Sequence, residues 1–154
     1  MANDPLVSSH RIRPASKNDL PRIMEIERLS FDKQWQQYQF EAALNDLVFL
    51  YEDREIWGFL VACCCKLAQR AVIMRIAVHP AARGQGVASK LIQAAINQFK
   101  ELNLRCVELD VDILKNGAIR LYEKFGFKTL RVVTVNHDDD ENSFYIMKLL
   151  LPSG

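Results

Sequence analysis

A glycine-containing turn past the middle of the chain is the segment best suited to bind an anion. Its residues are Arg83, Gly84, Gln85, Gly86, Val87, Ala88 and Ser89. An apolar run rich in Val and Ile precedes the turn, and a segment with helical spacing follows it. Glycines let a backbone approach phosphate oxygens, and the first N–H groups of a helix attract negative charge. The turn therefore predicts a phosphate site, with a turn that merely begins a helix as the alternative.

Two well-known phosphate motifs fit this turn poorly. The P-loop motif fails because Ser89 and Lys90 are not preceded by the required Gly-x-x-x-x-Gly. The dinucleotide motif matches Gly84 and Gly86, but Ser89 stands where its third glycine belongs. That motif also belongs to the first strand–helix turn of a domain, whereas this turn lies late in the chain.

No residues of the chain have the spacing of a metal site. Four cysteines occur, at Cys63, Cys64, Cys65 and Cys106. Neighbouring residues of a strand face opposite sides, so the three consecutive cysteines cannot converge on one metal. We expect all four to be small core residues of a protein in a reducing compartment. His10 and His79 are expected to be structural or solvated.

Hydrophobic periodicity predicts seven strands and four helices. The strands cover Arg11–Pro14, Val48–Glu52, Ile56–Lys66, Ala71–His79, Arg105–Val111, Phe127–Val135 and Ser143–Leu151. The helices cover Leu20–Leu29 after a capping box at Ser16–Asp19, Gln36–Asn45, Val87–Leu102, and Ala118–Phe125 before Gly126. A polar loop is expected at Asn136–Asn142, and its acidic residues 137–141 are expected to form a solvated turn.

This order of elements, βααβββαβαββ, predicts an α/β fold in a single domain over residues 1–154. The sheet is expected to be mixed and mostly antiparallel, with six to seven strands and helices on both faces. The strand–helix–strand unit from Ala71 to Val111 should be parallel with a right-handed crossover. A length of 154 residues with 49% hydrophobic content suits one domain with a sizeable core.

Composition argues against several classes of partner. The formal net charge is +1, which disfavours electrostatic binding to nucleic acid or to an anionic membrane. No apolar run reaches the ~20 residues that span a bilayer. The first residues lack the basic and apolar regions of a signal peptide, so we expect a cytoplasmic protein.

The turn and its flanking segments together resemble the acetyl-CoA-binding core of the GNAT N-acetyltransferase superfamily. Arg83, Gly86 and Ala88 match its pattern Arg/Gln-x-x-Gly-x-Gly/Ala after a strand that ends at His79-Pro80, and the segment Ala118–Phe127 lies downstream. The resemblance covers nearly the whole chain. It implies an acetyl-CoA-dependent enzyme without a metal, in which a primary amine attacks the thioester directly.

A narrower resemblance is to the ribosomal-protein-alanine N-acetyltransferases, which acetylate protein N-termini. It rests on the segments Ser30–Trp35, Leu109–Val111 and Phe144–Met147. The chain departs from the subfamily at Lys115, where an Asn is usual and Asn116 follows, and at Thr134-Val135, where a tyrosine pair is usual. The resemblance implies a protein N-terminal α-amine as acceptor, with a small-molecule amine or a lysine as alternatives.

The resemblance also implies roles for individual residues. Asp110 takes the place of the general base, and Tyr122 that of the acid that protonates the leaving thiolate. The remaining predicted contacts to acetyl-CoA are the backbone of Ile76, Ala77 and Val78, the turn Arg83–Ser89, and Asn116. Without the resemblance, Asp110 is equally a carboxylate ion-paired on a strand, and Tyr122 a packed helix aromatic.

Two other functional readings stay open at this level. One is a non-catalytic module that binds CoA or a nucleotide, and the other is a scaffolding domain without a ligand. Trp35 and Tyr38 are expected to belong to the core or a lid rather than to contact a ligand. The partners then expected are acetyl-CoA, an amine acceptor and, for a homodimer, a second copy of the chain.

Overall fold

The computed structural model describes residues 9–152. Its strands are β1 (Arg11–Pro14), β2 (Leu47–Asp53), β3 (Glu55–Cys65), β4 (Arg70–Val78), β5 (Cys106–Asp112), β6 (Lys128–His137) and β7 (Asp140–Leu150). Its helices are α1 (Leu20–Ser30), α2 (Gln37–Ala43), α3 (Val87–Glu101) and α4 (Asn116–Lys124), with 3₁₀ turns at Lys17–Asp19 and Pro80–Ala82. The predicted order βααβββαβαββ is confirmed, and most element ends lie within one or two residues of the predicted ones.

The strands form a seven-stranded mixed sheet in the order β1-β2-β3-β4-β5-β7-β6. Strands β1, β2 and β3 pair in antiparallel fashion, as do β5, β7 and β6. Strand β4 pairs in parallel with β5, from Arg70 opposite Cys106 to Ile73 opposite Leu109. The predicted fold class, a mixed and mostly antiparallel sheet, is therefore confirmed.

The prediction of a polar loop at Asn136–Asn142 is wrong. Strands β6 and β7 continue through it, with Asn136 opposite Glu141 and His137 opposite Asp140. The turn shrinks to Asp138 and Asp139, and Asp138 has a φ of 53°, a left-handed conformation that Asp tolerates better than most residues. The acidic run hid these strand ends because an exposed hairpin needs no apolar alternation.

The prediction that the cysteines are core residues is wrong for Cys63 and Cys65. Both are exposed near the end of β3, while Cys64 is half-buried and Cys106 is buried. Strand β3 is buried from Gly58 to Ala62 and then extends beyond the buried stretch. The apolar run in the sequence continues beyond the last buried residue of the strand. It therefore predicted burial for residues that are exposed.

Contact density divides the described chain into two compact units. The first contains residues 9–62 and 75–95, and the second contains residues 63–74 and 96–152. The core of the first unit consists of Leu20, Ile23, Ile26, Phe40, Val48, Leu50, Ile56, Phe59, Val61 and Ala77. Buried side chains of the second unit include Phe99, Val107, Leu109, Val111, Tyr122, Phe127 and Met147.

Polar contacts fasten β1 and α1 within the first unit. The predicted capping box is confirmed, since Ser16 N–H donates to an Asp19 carboxylate oxygen at 2.8 Å. Arg13 donates to Asp19 at 2.9 Å and to Glu52 of β2 at 3.0 Å. These bonds lower the pKa of Asp19 below its ordinary value, with the Arg13 hydrogen bond as the largest cause.

Among residues 9–152, none of the helices combines the length and the apolar character needed to cross a membrane.

Gly58 in β3 allows the start of α3 to approach the sheet closely. A Cβ on Gly58 would lie 2.8 Å from Cγ1 of Val87, 3.1 Å from the Ala77 carbonyl and 3.2 Å from Cδ1 of Leu91. The first distance is shorter than carbon atoms tolerate, and the carbonyl belongs to the neighbouring backbone. The absent side chain at Gly58 therefore sets how close α3 comes to β3 and β4.

We predict that Gly58→Ala destabilises the protein by about 1–3 kcal/mol, the usual effect of overpacking a tight site. Gly117 of α4 is the matched control, because nothing lies within 4 Å of a Cβ placed there. Gly117→Ala should be neutral or stabilising, since alanine favours a helix over glycine by up to ~1 kcal/mol. Urea unfolding of both variants checks the prediction, which equal stabilities would contradict.

Candidate active site

The glycine-containing turn has the backbone geometry of an anion site. Gly84 and Gly86 have φ angles of 77° and 82°, in the left-handed region that favours glycine. Nothing lies within 4 Å of a Cβ placed on either residue, so backbone conformation, and not lack of space, requires glycine. The turn from Arg83 to Gly86 is exposed, Val87 is buried, and Ala88 and Ser89 are half-buried.

The start of helix α3 lies beside this turn and has amide groups that the helix itself does not pair. Lys90 N–H donates to the Gly86 carbonyl at 3.1 Å, the first turn of helical bonding. The N–H groups before Lys90 have no acceptor within the helix, as in any α-helix. The helix dipole adds partial positive charge at the same place. The predicted turn is therefore exposed, and the helix start beside it supplies amide donors and a positive potential.

Two side chains of the turn fold back onto the chain before it. The Arg83 Nε donates to the Val78 carbonyl at 3.0 Å, and its terminal nitrogen donates to the Ser30 hydroxyl at 3.4 Å. The Gln85 side-chain amide donates to the Ala81 carbonyl at 3.4 Å. Arg83 therefore braces the turn against the end of β4, an arrangement that the sequence pattern did not reveal.

The predicted residues of β4 lead directly into the turn. Ala77 is 6% exposed and belongs to the core cluster of the first unit, while Ile76 and Val78 are half-buried. Beyond them, His79 N–H donates to the Trp57 carbonyl at 2.8 Å, and His79 Nδ1 accepts the Ala81 N–H at 3.0 Å. His79 therefore has a structural role at the end of the strand.

A buried ion pair next to these residues was missed from the sequence. Glu27 of α1 is 0% exposed, and its carboxylate accepts hydrogen bonds from the Arg75 guanidinium of β4. The same carboxylate accepts the Trp35 N–H at 2.9 Å. One signal was available, because the helical spacing from Ile23 places Glu27 on the buried stripe of α1, where a charge requires a partner.

Arg75 also holds the segment between α1 and α2. Its guanidinium donates to the Lys33 carbonyl at 2.9 Å and lies 3.7 Å from the ring centroid of Phe31. Trp35 packs against the core cluster, with its ring centroid 5.2 Å from that of Phe40. The core reading of Trp35 is confirmed, whereas Tyr38 is 70% exposed and is not a core residue.

The two predicted catalytic residues lie in the second unit. Asp110 is an exposed residue of β5, opposite Ile146 of β7. Tyr122 of α4 is 6% exposed, and its ring centroid lies 5.8 Å from that of Phe127. Burial, and secondarily the charge of Asp110, raises the pKa of Tyr122 to about 12. The phenol is therefore protonated at neutral pH.

The remaining predicted contact is at the start of α4. Asn116 is its first residue and Lys115 precedes it, and both are exposed. Among the described residues, no group of three or more His, Cys, Asp or Glu side chains is arranged to hold a metal ion.

Comparison with known proteins identifies the family. Residues 20–127 match the acetyltransferase (GNAT) family. The chain is 29% identical over 150 residues to an N-alpha-acetyltransferase of Sulfurisphaera tokodaii, which covers 88% of this chain and 90% of the relative. It is 30% identical over 120 residues to a putative [ribosomal protein bS18]-alanine N-acetyltransferase of Bacillus subtilis, over 76% and 80% of the two chains.

A solved structure shows the same fold. The crystal structure of the ribosomal-protein-S18-alanine N-acetyltransferase from Escherichia coli superposes with a TM-score of 0.85, at 22% identity, over 94% of this chain and 96% of that one. The chain belongs to the GNAT acetyltransferase family, as its motifs predicted. It is an acyltransferase, an enzyme that transfers acetyl groups to nitrogen.

We predict that Arg75→Met destabilises the protein by about 3–5 kcal/mol, because it leaves the Glu27 carboxylate buried without its cation. The double variant Arg75→Met/Glu27→Leu should recover most of this loss, since two apolar groups can replace a buried pair. Urea unfolding of the single and double variants measures both effects.

The control for this prediction is the exposed pair Arg70–Glu108, in which the arginine side chain is 51% exposed. Arg70→Met should cost no more than about 1 kcal/mol, as is usual for surface ion pairs. Equal losses of stability for Arg70→Met and Arg75→Met would show that the buried pair contributes no more to stability than the exposed one.

Proposed function

We propose that this enzyme transfers the acetyl group of acetyl-CoA to the α-amine of a protein N-terminus. The match to an N-alpha-acetyltransferase over about nine tenths of both chains carries the proposal for the acceptor. The geometry of the Arg83–Ser89 turn supports the proposal for acetyl-CoA.

The residues of the turn fit a pyrophosphate group. Two glycines with positive φ leave the backbone of the turn without side chains at these positions. The helix amides before Lys90 can donate to a phosphate. The turn contains Arg83 and no carboxylate, so its own charge does not oppose a phosphate. A side chain at Gly86 would project into open space beside the turn, which is the space an approaching phosphate needs.

Each predicted catalytic residue then has one task. Acetyl-CoA, when bound, supplies the acetyl thioester, and backbone N–H groups of Ile76–Val78 bind and polarise it. Asp110 accepts the proton of the attacking amine, through a water because its side chain is one carbon shorter than that of glutamate. Tyr122 donates a proton to the sulfur as the carbon–sulfur bond breaks.

The environments of the two groups suit these tasks. Exposure keeps Asp110 in contact with water and with an incoming amine. A pKa of about 12 keeps Tyr122 protonated across the neutral and mildly alkaline range in which the amine must lose its proton. The pH dependence of turnover below pH 10 should therefore reflect the base and the amine, not the loss of the Tyr122 proton.

An α-amine is also the easier acceptor for a single carboxylate. Its reference pKa is about 8, against about 10.4 for a lysine side chain. Forming the neutral amine at pH 7 therefore costs about 1.4 kcal/mol for an α-amine and about 4.6 kcal/mol for a lysine. Asp110 acting through a water can meet the smaller of these costs.

We predict that Gly86→Glu abolishes acetyl-CoA binding, because the new carboxylate repels the pyrophosphate and the glycine conformation is lost. Gly126→Ala is the matched control, since Gly126 has a φ of 100° in a different turn. The control should lose stability and keep its affinity. Isothermal titration with acetyl-CoA compares the two, and unchanged affinity in a folded Gly86→Glu variant would exclude the site.

We predict that Tyr122→Phe lowers kcat by about 10²–10⁴-fold, the usual contribution of a positioned acid, while acetyl-CoA affinity is kept. Tyr51→Phe is the control, because Tyr51 is similarly buried at 7% exposure. Steady-state assays of free-thiol release measure both variants. A parent-like rate for Tyr122→Phe would mean that water protonates the thiolate.

We predict that a peptide with a free N-terminus and no lysine is acetylated faster than a peptide with a blocked N-terminus and one lysine. Mass spectrometry of a competition mixture locates the added acetyl group, and a set of small amines is assayed in parallel. Faster modification of the blocked peptide would identify a lysine acetyltransferase. Acetylation of small amines alone would identify a small-molecule enzyme.

A further inference from the structure

Strand β6 is an end strand of the sheet and is long and exposed. It pairs with β7 on one side only, so every second residue directs its N–H and C=O groups away from that partner. Three of its apolar side chains face solvent, with Leu130 51%, Val132 55% and Val135 38% exposed. An apolar edge of this kind is open to the addition of another strand.

The features that usually protect an edge are confined to the beginning of β6. The register with β7 shifts between Thr129 and Arg131, which is a bulge at Leu130, and Lys128 and Arg131 are charged. The following residues, 132–136, read Val-Val-Thr-Val-Asn and contain neither a proline nor a charge. This half of β6 is therefore unprotected.

The hairpin of β6 and β7 is charged with opposite signs at its two ends. Lys128, Arg131 and Lys148 are at one end, and Lys148 lies directly opposite Lys128. Asp138, Asp139, Asp140 and Glu141 form the other end, and all four are exposed. The formal charges are thus +3 at the basic end and −4 at the acidic end.

This distribution selects a partner and an orientation. If two copies pair their β6 strands in antiparallel fashion, the acidic end of each lies beside the basic end of the other. Parallel pairing would oppose like charges at both ends. A two-fold axis produces the antiparallel arrangement, because it makes the surface complementary to itself.

We propose that two copies of this chain associate through their β6 edges, antiparallel about a two-fold axis. Residues 131–137 of each copy form the new strand pair, so that the β7–β6 hairpins of the two copies form one continuous sheet. The charged ends set the orientation, and the exposed Val132 and Val135 are covered. The proposal does not depend on the acceptor or on acetyl-CoA.

A charge-exchange experiment tests the proposal. Lys128→Asp/Arg131→Asp makes both ends of the hairpin acidic, and Asp139→Lys/Asp140→Lys/Glu141→Lys makes both ends basic. Each variant alone should dimerise more weakly than the parent, by more than about tenfold. An equimolar mixture should form a heterodimer with nearly the parent affinity, because every acidic end again meets a basic one.

Sedimentation velocity between about 1 μM and about 1 mM covers the range in which a small interface dissociates. Lys17→Asp/Lys66→Asp changes the net charge as the acidic variant does, at two exposed residues outside β6, and should dimerise like the parent. Val132→Lys tests the edge without altering either end and should also weaken the dimer. Circular dichroism and urea midpoints verify that each variant is folded.

Three results would overturn the proposal. The first is a parent protein that stays monomeric up to about 1 mM. The second is a dimer that neither the charge variants nor Val132→Lys weaken, which would place the interface elsewhere. The third is failure of the mixed acidic and basic variants to associate, since complementarity between the ends is the basis of the proposed orientation.

Discussion

The buried pair of Glu27 and Arg75 is the constraint on which the arrangement of the first unit depends. A carboxylate without solvent exposure is costly unless every lone pair finds a donor, and here the donors come from β4 and from the backbone at Trp35. The Arg75 guanidinium likewise needs acceptors for its N–H groups, and it also donates to the Lys33 carbonyl. One interaction thereby fixes a helix, a strand and the segment that follows the helix.

Strand β4 is positioned by this pair and, independently, by the absence of a side chain at Gly58. The ion pair holds β4 at Arg75, one residue before the predicted thioester contacts. Gly58 admits Val87 and thus fixes where α3 starts relative to Ala77. The backbone from Ile76 to the glycine turn is thus held by the ion pair at Arg75 and by the close packing at Gly58.

The features that could be predicted from the sequence are those that depend on residues close together in the chain. Element order follows from periodicity, and the turn conformation follows from Gly84 and Gly86. The Glu27–Arg75 pair joins residues 48 positions apart, and a local pattern cannot show which buried charge meets which. The β6–β7 hairpin was predicted, but its strands were predicted too short because its tip is polar throughout. The roles of Asp110 and Tyr122 came only from family resemblance, since an acidic strand residue and a helix tyrosine have common structural explanations.

The second unit supplies two groups whose opposite environments suit opposite proton transfers. A base must be reachable by a water or an amine, and Asp110 is exposed on β5. The acid that we propose must stay protonated while the amine loses its proton, and burial raises the pKa of Tyr122 to about 12. The charge of Asp110 also raises the pKa of Tyr122, as a smaller cause than burial. The exposure of Asp110 and the burial of Tyr122 therefore fit the division of labour that we propose, with Asp110 as the base and Tyr122 as the acid.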